Sequence, residues 1–224
     1  MSLHEESVSF RDNVQKMLGE KFDIFTSQID ALTASGIVER AARVGQLAPE
    51  FTLPDAYGNQ VSLSSLLQKG PVVLSFYRGE WCPFCNLELN AYQKALPEIT
   101  GLGATLLAIS PEKPDLGLAT AEQYQLTFPV LSDLGNLVAR AYGLVFTTSS
   151  EVKALQMTAF NLNLEERNGD ASWEIPIPGT FVIDSFRTIR FAHVDPDYFT
   201  GRANPEAVLA VLRSIKDSLQ TTRA

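Results

Sequence analysis

Short apolar runs that alternate with helical patterns constrain the fold of this chain most strongly. Residues 71–77 and 104–109 are continuously apolar and have strand length, which is typical of strands buried on both faces of a sheet. Helical patterns follow each run, and two further strands, 180–184 and 189–194, precede a terminal helix. This order predicts an α/β fold with helices on both faces of a mixed central sheet, because the closing strand pair is antiparallel.

The N-terminal segment differs from the rest of the chain. Apolar residues recur at three- and four-residue steps from Phe10 to Leu32, which predicts one long helix over residues 7–34 that ends at Ser35-Gly36. We therefore expect a helical extension over residues 1–43 and a second unit over 44–224. The apolar stripe is expected to pack on its own domain, or alternatively on a second subunit in a homodimer. Either way we expect the extension to contribute stability rather than chemistry.

Charge and hydropathy exclude several partners. The net charge is −8, from 18 basic and 26 acidic residues, whereas nucleic acids and anionic membranes attract basic surfaces. No run approaches the ~18 apolar residues of a membrane span. The N-terminus also lacks the pattern of a secretory signal, so we expect a cytoplasmic protein.

Two cysteines three positions apart, Cys82 and Cys85, are the only ones in the chain. A structural zinc site needs four ligands, and the two histidines, His4 and His193, lie far away in sequence, so no metal is expected. No glycine-rich nucleotide motif stands between a strand and a helix, so no cofactor is expected either. A close Cys-x-x-Cys pair in a cytosolic chain is typical of redox chemistry.

The cysteine pair falls where a buried strand gives way to a helix. Pro83 suits the first helical position, where its missing N–H costs nothing, so Cys82 is the expected N-cap and Cys85 lies in the first turn. The helix terminus stabilises a thiolate there. The pair can therefore pass reversibly between dithiol and disulfide, and we expect a potential of about −200 to −270 mV. Two inert buried cysteines are the alternative.

The motif WCPFC resembles the active site of thioredoxins. The wider sequence resembles the peroxiredoxin-like group of the alkyl hydroperoxide reductase/thiol-specific antioxidant family, over roughly residues 44 to 215. The matching stretches are VGQLAPEFTLPDAYGNQVSL, VVLSFYRGEWCPFC, LSDLGNLVARAYGL and PGTFVIDSFRTIRFAHVDPDY. The resemblance implies a thioredoxin-like fold and thiol-based antioxidant chemistry.

The chain departs from the peroxiredoxin pattern at three positions. Cys85 matches the peroxidatic cysteine, but Cys82 stands where that family has threonine, and Arg78 where it has proline. Pro178 stands where the family has its catalytic arginine. Pro178 instead resembles the proline of thioredoxins that packs on the active-site disulfide, which implies a cis peptide bond facing Cys82. A peroxide needs hydrogen-bond donors, so we expect a modest peroxidase unless Arg78 or Arg202 supplies them.

Neighbouring residues are candidates for shaping the site. Trp81 can shield the sulfurs or simply pack, and Thr180 follows Pro178 into an apolar strand. Arg78 can lower a thiol pKa or bind substrate charge, and Glu80 would oppose thiolate formation, although both can equally be solvated loop charges. Four further residues lie in loops that can border the same cleft: Trp173, Asp197, Tyr198 and Arg202.

Three functions fit these residues. The first is an antioxidant enzyme that reduces hydroperoxides through a Cys82–Cys85 disulfide, which a thioredoxin- or glutathione-type reductant recycles. The second is a thioredoxin-like oxidoreductase that acts on protein disulfides. The third is a redox-sensing module without turnover. The sequence leaves open which cysteine attacks first.

Overall fold

A five-stranded mixed sheet forms the centre of the computed structural model, which describes residues 2–221, with side chains through residue 218. The strand order is β5-β4-β3-β8-β9. Strands β3, β4 and β5 are parallel, whereas β8 and β9 run antiparallel to their neighbours. Two small antiparallel pairs, β1-β2 and β6-β7, lie outside this sheet. The strands are β1 Thr52–Pro54, β2 Gln60–Ser62, β3 Val72–Phe76, β4 Thr105–Ser110, β5 Val130–Ser132, β6 Val145–Thr147, β7 Glu174–Pro176, β8 Gly179–Ile183 and β9 Ile189–Val194.

The predicted α/β architecture with a mixed sheet and an N-terminal helical segment is confirmed. Side-chain oxygens of Ser2, Ser62, Ser149 and Asn163 accept backbone N–H groups and so fix where four helices begin. The helices are α1 Leu3–Leu18, α2 Asp23–Ala34, α3 Ile37–Arg40, α4 Leu63–Leu67, α5 Pro83–Gly101, α6 Pro114–Gln123, α7 Leu137–Ala141, α8 Ser150–Ala159, α9 Leu164–Asn168 and α10 Pro205–Thr221.

Strand β3 is buried along its whole length at the centre of the sheet. It pairs with β4 on one side and with β8 on the other, with Ser75 opposite Thr180 and Phe76 opposite Gly179. Since β8 is antiparallel to β3, the start of β8 lies at the carboxyl end of β3. Residues that follow β3 and residues that begin β8 therefore meet at one edge of the sheet, where α5 begins.

The N-terminal segment is two helices rather than the single long helix that the apolar spacing predicts. Gly19 has a φ of +56°, and a 3₁₀ turn over Gly19–Phe22 separates α1 from α2. Phe22 and Phe25 are buried and their rings contact Phe199 at centroid distances of 5.3 and 5.8 Å. The stripe therefore packs on the chain's own domain, which is one of the two arrangements expected. The boundary between residues 43 and 44 stays a prediction, and Met1 and residues 222–224 lie outside the described residues.

Two local features were not expected from the sequence. Helix α9 leads into β7, and no pattern in the sequence indicated that β7 pairs with β6. Every peptide bond within residues 2–221 is trans, so the expected cis bond before Pro178 is absent. The physical reason is that the chain is extended there: Ile177 N–H donates to Leu144 O at 2.9 Å, and Gly179 already pairs with Phe76. No tight turn remains for a cis bond to serve.

Within the described part of the chain, no helix combines the length and apolar character needed to cross a lipid bilayer. The same residues contain no group of three or more His, Cys, Asp or Glu side chains arranged to hold a metal ion.

Candidate active site

Cys82 and Cys85 form a disulfide at the N-terminus of α5. Cys82 is the N-cap, Pro83 occupies the first turn, and the Cys85 N–H donates to Cys82 Sγ at 3.3 Å. The two Cα atoms are 5.3 Å apart, and both side chains are fully buried. The local geometry predicted from the sequence is thus present. A sulfur at this position accepts a free backbone N–H of the helix terminus, which favours its anionic form when the pair is reduced.

A sharp turn carries the chain from β3 to the cysteines. Gly79 has a φ of +146°, and a Cβ atom there would lie 2.5 Å from Trp81 Nε1 and 2.7 Å from Glu112 Cδ. Only glycine fits this backbone. The turn places Arg78 beneath Trp81, with the guanidinium carbon 5.0 Å from the centre of the indole ring. Trp81 therefore covers Arg78, and it is half-buried rather than free in solvent.

Arg202 approaches Cys85 with both ends of its guanidinium group. Its Nη1 and Nη2 atoms each lie 3.6 Å from Cys85 Sγ. Nη1 also donates to Glu88 Oε2 at 2.8 Å, and Nη2 donates to the Tyr198 carbonyl at 2.6 Å. The Arg202 and Glu88 side chains are 1% and 3% exposed, so this is a buried ion pair whose geometry is fixed on two sides. Two donors therefore converge on one sulfur.

The loop that supplies Arg202 is held by its own hydrogen bonds. Asp197 accepts the N–H groups of Phe199 and Thr200, at 3.0 and 3.2 Å. Gly201 allows a close approach, because a Cβ atom there would lie 2.2 Å from Asp195 Cγ. Asp197 thus shapes the loop and does not contact the sulfurs. A rigid loop explains how a residue 117 positions from Cys85 reaches it with fixed geometry.

Thr180 supports the ion pair from β8. Its hydroxyl donates to Glu88 Oε1 at 3.3 Å and accepts from the Tyr92 hydroxyl at 3.3 Å. Cys85, Glu88 and Tyr92 are separated by three and four positions, which places them on one face of α5. Thr180 was predicted to shape the site, whereas Glu88 and Tyr92 were missed, although their spacing after Cys85 was a signal that pointed to them.

Arg78 contacts the other sulfur, that of Cys82. Its Nη2 lies 3.2 Å from Cys82 Sγ, and its guanidinium carbon lies 4.2 Å from the centre of the Tyr198 ring. Arg78 is 5% exposed. Burial lowers the pKa of Arg78 to about 9, and the charge of Arg202 acts in the same direction. The group still carries its proton at neutral pH. Arg78 is therefore a buried cation, not the solvated loop charge that was one alternative.

Glu80 does not act on the sulfurs as an unpaired anion. Arg167 binds both Glu80 and the buried Glu112, with N–O distances of 2.6 Å to each. Glu112 also accepts the Glu80 N–H at 2.7 Å. Burial raises the pKa of Glu112, an effect that these contacts oppose. The cluster fixes the segment between β3 and α5, and it compensates the charge that the sequence suggested would oppose thiolate formation.

A cleft of about 530 Å³ opens beside Arg78 and Trp81. One wall comes from the N-terminal extension, through Phe10, Val14 and Met17 of α1. Phe10 packs edge-on against Phe84 of α5, with ring centroids 5.1 Å apart. The extension therefore reaches the cleft beside the candidate site, and its expected contribution to stability rather than chemistry stays a prediction.

Of the four loop residues that the sequence placed near the cleft, Arg202 contacts Cys85 Sγ, and the Tyr198 ring packs on Arg78. Trp173 is buried elsewhere, where its Nε1 donates to Glu165 at 2.7 Å and Lys153 lies 4.4 Å from its ring centre.

Several known proteins resemble this chain over less than half of its length. Peroxiredoxin Bcp of Escherichia coli is 34% identical over 91 residues, 41% of this chain and 58% of that protein. Chloroplastic peroxiredoxin Q of Populus jackii is 37% identical over 89 residues, 40% of this chain and 41% of that protein. The thiol-disulfide oxidoreductase ResA of Geobacillus kaustophilus is 36% identical over 94 residues, 42% and 53% of the two chains. The chain thus spans about half the length of these relatives.

Solved structures extend the similarity to most of the chain. The crystal structure of peroxidoxin BcpB from Mycobacterium tuberculosis covers 77% of this chain and 97% of its own, with 27% identity and a TM-score of 0.61. Peroxiredoxin 6 of Arenicola marina covers 81% of this chain and 75% of its own, with 19% identity and a TM-score of 0.62, and so shares the thioredoxin-like fold. The sequence profile of the AhpC/TSA family matches residues 44–192. The chain therefore belongs to the AhpC/TSA family.

Proposed function

We propose that this chain is a thiol-dependent peroxidase in which Cys85 attacks the hydroperoxide and Cys82 resolves the product. The observation that carries the proposal is the pair of Arg202 donors at 3.6 Å from Cys85 Sγ. A peroxide needs donors aimed at its oxygens while the O–O bond breaks. Position 178, where related enzymes have arginine, holds proline here, and Arg202 supplies the same chemistry from a different loop.

The cycle has two steps. The Cys85 thiolate attacks one peroxide oxygen and becomes a sulfenic acid, while the O–O bond breaks and the alkoxide or hydroxide leaves and takes up a proton. The Cys82 thiolate then attacks the Cys85 sulfur, which forms the disulfide and releases hydroxide, which is protonated to water. The two sulfurs lose two electrons and the peroxide gains them. Membership of the AhpC/TSA family and the joined Cys82–Cys85 pair support this cycle.

An external thiol must return the disulfide to the dithiol. Either a thioredoxin-type or a glutathione-type reductant can supply the two electrons. A cytoplasmic location, which the sequence led us to expect, belongs to the same proposal. A homodimer stays one of the two alternatives that the apolar stripe of the N-terminal segment offered.

Single-cysteine variants test the assignment. With hydroperoxide, Cys82→Ser should accumulate a sulfenic acid on Cys85, whereas Cys85→Ser should form none, because Arg202 lies at Cys85. Trapping with a sulfenic-acid reagent followed by mass spectrometry measures both. Sulfenic acid on Cys82 alone would overturn the assignment, and none in either variant would overturn the peroxidase itself.

A protein dithiol–disulfide oxidoreductase is the second candidate. The similarity to ResA and the N-cap position of Cys82, which is typical of attacking thiols, favour it. NADPH consumption through thioredoxin and its reductase distinguishes the two, with hydroperoxide or insulin disulfide as the acceptor. The peroxidase predicts consumption with hydroperoxide. Consumption with insulin alone supports the second candidate, and consumption with neither supports a redox sensor without turnover.

A further inference from the structure

We propose that Arg78 is a positioning residue that holds the resolving Cys82 as a thiolate and thereby sets the rate at which the sulfenic acid on Cys85 is resolved. This inference rests on the proposed function. Arg78 is 5% exposed, and its Nη2 donates to Cys82 Sγ at 3.2 Å. No carboxylate forms an ion pair with it among residues 2–221. A buried cation without a counter-ion is costly.

The surroundings of Arg78 leave the Cys82 sulfur as its natural counter-ion. The rings of Tyr198 and Trp81 flank the guanidinium carbon at 4.2 and 5.0 Å, and their cation–π attraction supplies no negative charge. Glu80 and Glu112 are both bound by Arg167. Glu88 is bound by Arg202. A Cys82 thiolate would therefore supply the missing negative charge.

The charge balance changes with redox state. In the disulfide, the Cys82 sulfur is neutral and Arg78 is uncompensated. Reduction by two electrons lets Cys82 become an anion 3.2 Å from a buried cation, which stabilises the dithiol form. In the resolving step that anion attacks the Cys85 sulfur: the S–O bond breaks, the S–S bond forms, and hydroxide leaves to become water. A pre-formed thiolate shortens the life of the sulfenic acid and so limits its further oxidation to sulfinic acid.

The experiment compares Arg78→Met with Arg78→Lys, which retains the charge. In a Cys85→Ser background, the thiolate absorbance of Cys82 is titrated with pH. We expect its pKa to rise by about 1–2 units in Arg78→Met, and to return most of the way towards the parent value in Arg78→Lys. In the two-cysteine protein, single-turnover mixing with peroxide separates formation of the sulfenic acid from its resolution. Resolution should slow about tenfold in Arg78→Met, and sulfinic acid on Cys85 should accumulate at high peroxide.

The thiol–disulfide equilibrium gives a second, independent measurement. Loss of Arg78 should shift the equilibrium with glutathione about tenfold towards the disulfide, which corresponds to about 30 mV. Arg78→Met removes an uncompensated buried charge, so the oxidised protein should fold with unchanged or higher thermal stability. Arg78→Gln provides a polar substitute if the methionine variant does not fold.

The outcomes separate this inference from the proposed function. If the parent protein forms sulfenic acid on Cys85 and Arg78→Met leaves both the Cys82 pKa and the resolution rate unchanged, the role of Arg78 is overturned and the peroxidase stands. If the parent protein forms no sulfenic acid, the proposed function fails. The titration of Cys82 and the glutathione equilibrium then still decide whether Arg78 pairs with that thiolate.

Discussion

Cys82 and Cys85 share one helical turn, but their surroundings differ in charge. Cys85 lies against Arg202, whose charge Glu88 balances within a buried network that also includes Thr180. Cys82 lies against Arg78, which forms no ion pair among the residues described. The Cys85 sulfur thus faces two donor atoms of an arginine whose charge is balanced. The Cys82 sulfur faces an arginine whose charge is not balanced.

This difference suggests that the two cysteines of one Cys-x-x-Cys motif have different roles. The two Arg202 donors, held in place by the ion pair with Glu88, suit a transition state in which negative charge develops on peroxide oxygens. An unbalanced cation suits a resting anion. We therefore expect changes at Arg202 to affect the peroxide step and changes at Arg78 to affect the resolving step.

Loss of Arg202 should have the largest effect. In Arg202→Met, kcat/KM for hydroperoxide should fall about 10²–10³-fold, which is the usual cost of losing a preorganised donor to a developing oxyanion. Reaction of Cys82 with a disulfide should change far less. Steady-state rates with hydroperoxide and with a small-molecule disulfide measure the two reactions.

Arg202→Met also leaves Glu88 without its ion-pair partner, and an unpaired buried charge can lower the stability of the fold by about 3–5 kcal/mol. The double variant Arg202→Met/Glu88→Gln removes both charges together and is the matched control. If the double variant regains stability but not peroxidase activity, the loss of activity in Arg202→Met comes from the missing donors at Cys85 and not from unfolding. Recovery of both would show that Arg202 is only structural.

Removal of the Thr180 hydroxyl should have an intermediate effect on the rate of the peroxide step. Thr180→Val removes the hydrogen bond to Glu88, and at about 1 kcal/mol per bond the peroxide step should slow about fivefold. The matched control is Ser75→Ala, which lies opposite Thr180 in β3 and whose hydroxyl has no hydrogen-bond partner within the described residues. Equal losses in the two variants would contradict a role for Thr180 at the Cys85 side.

A substitution in the wall of the cleft that α1 supplies should have the smallest effect on kcat/KM. Met17 is 66% exposed and lines the cleft beside Arg78. Met17→Gln should lower kcat/KM for cumene hydroperoxide about two- to threefold and leave hydrogen peroxide unchanged, because only the bulky substrate can contact that wall. Met157→Gln changes an exposed methionine that does not line the cleft and serves as the control. Equal effects on both peroxides would place substrate entry elsewhere.

Local patterns in the sequence were enough to determine the sheet and the position of the cysteine pair. The apolar runs predicted the central strands to within one or two residues at most ends, because strands buried on both faces must be continuously apolar. Pro83 predicted the start of α5 and the N-cap role of Cys82, because capping depends only on a few neighbouring residues. The thioredoxin-like fold was predicted from the family resemblance over residues 44–215.

Only the tertiary structure decided which side chains meet the sulfurs. Arg202 reaches Cys85 through a loop that Asp197 and Gly201 hold in shape, and no local pattern encodes a contact across 117 positions. The trans bond before Pro178 depends on the pairing of β8 with β3 and on the Ile177 contact to Leu144. The placement of α1 beside the cleft depends on the break at Gly19 and on aromatic packing against Phe84 and Phe199. Each of these is a long-range contact, whose geometry is fixed by packing rather than by the preferences of neighbouring residues.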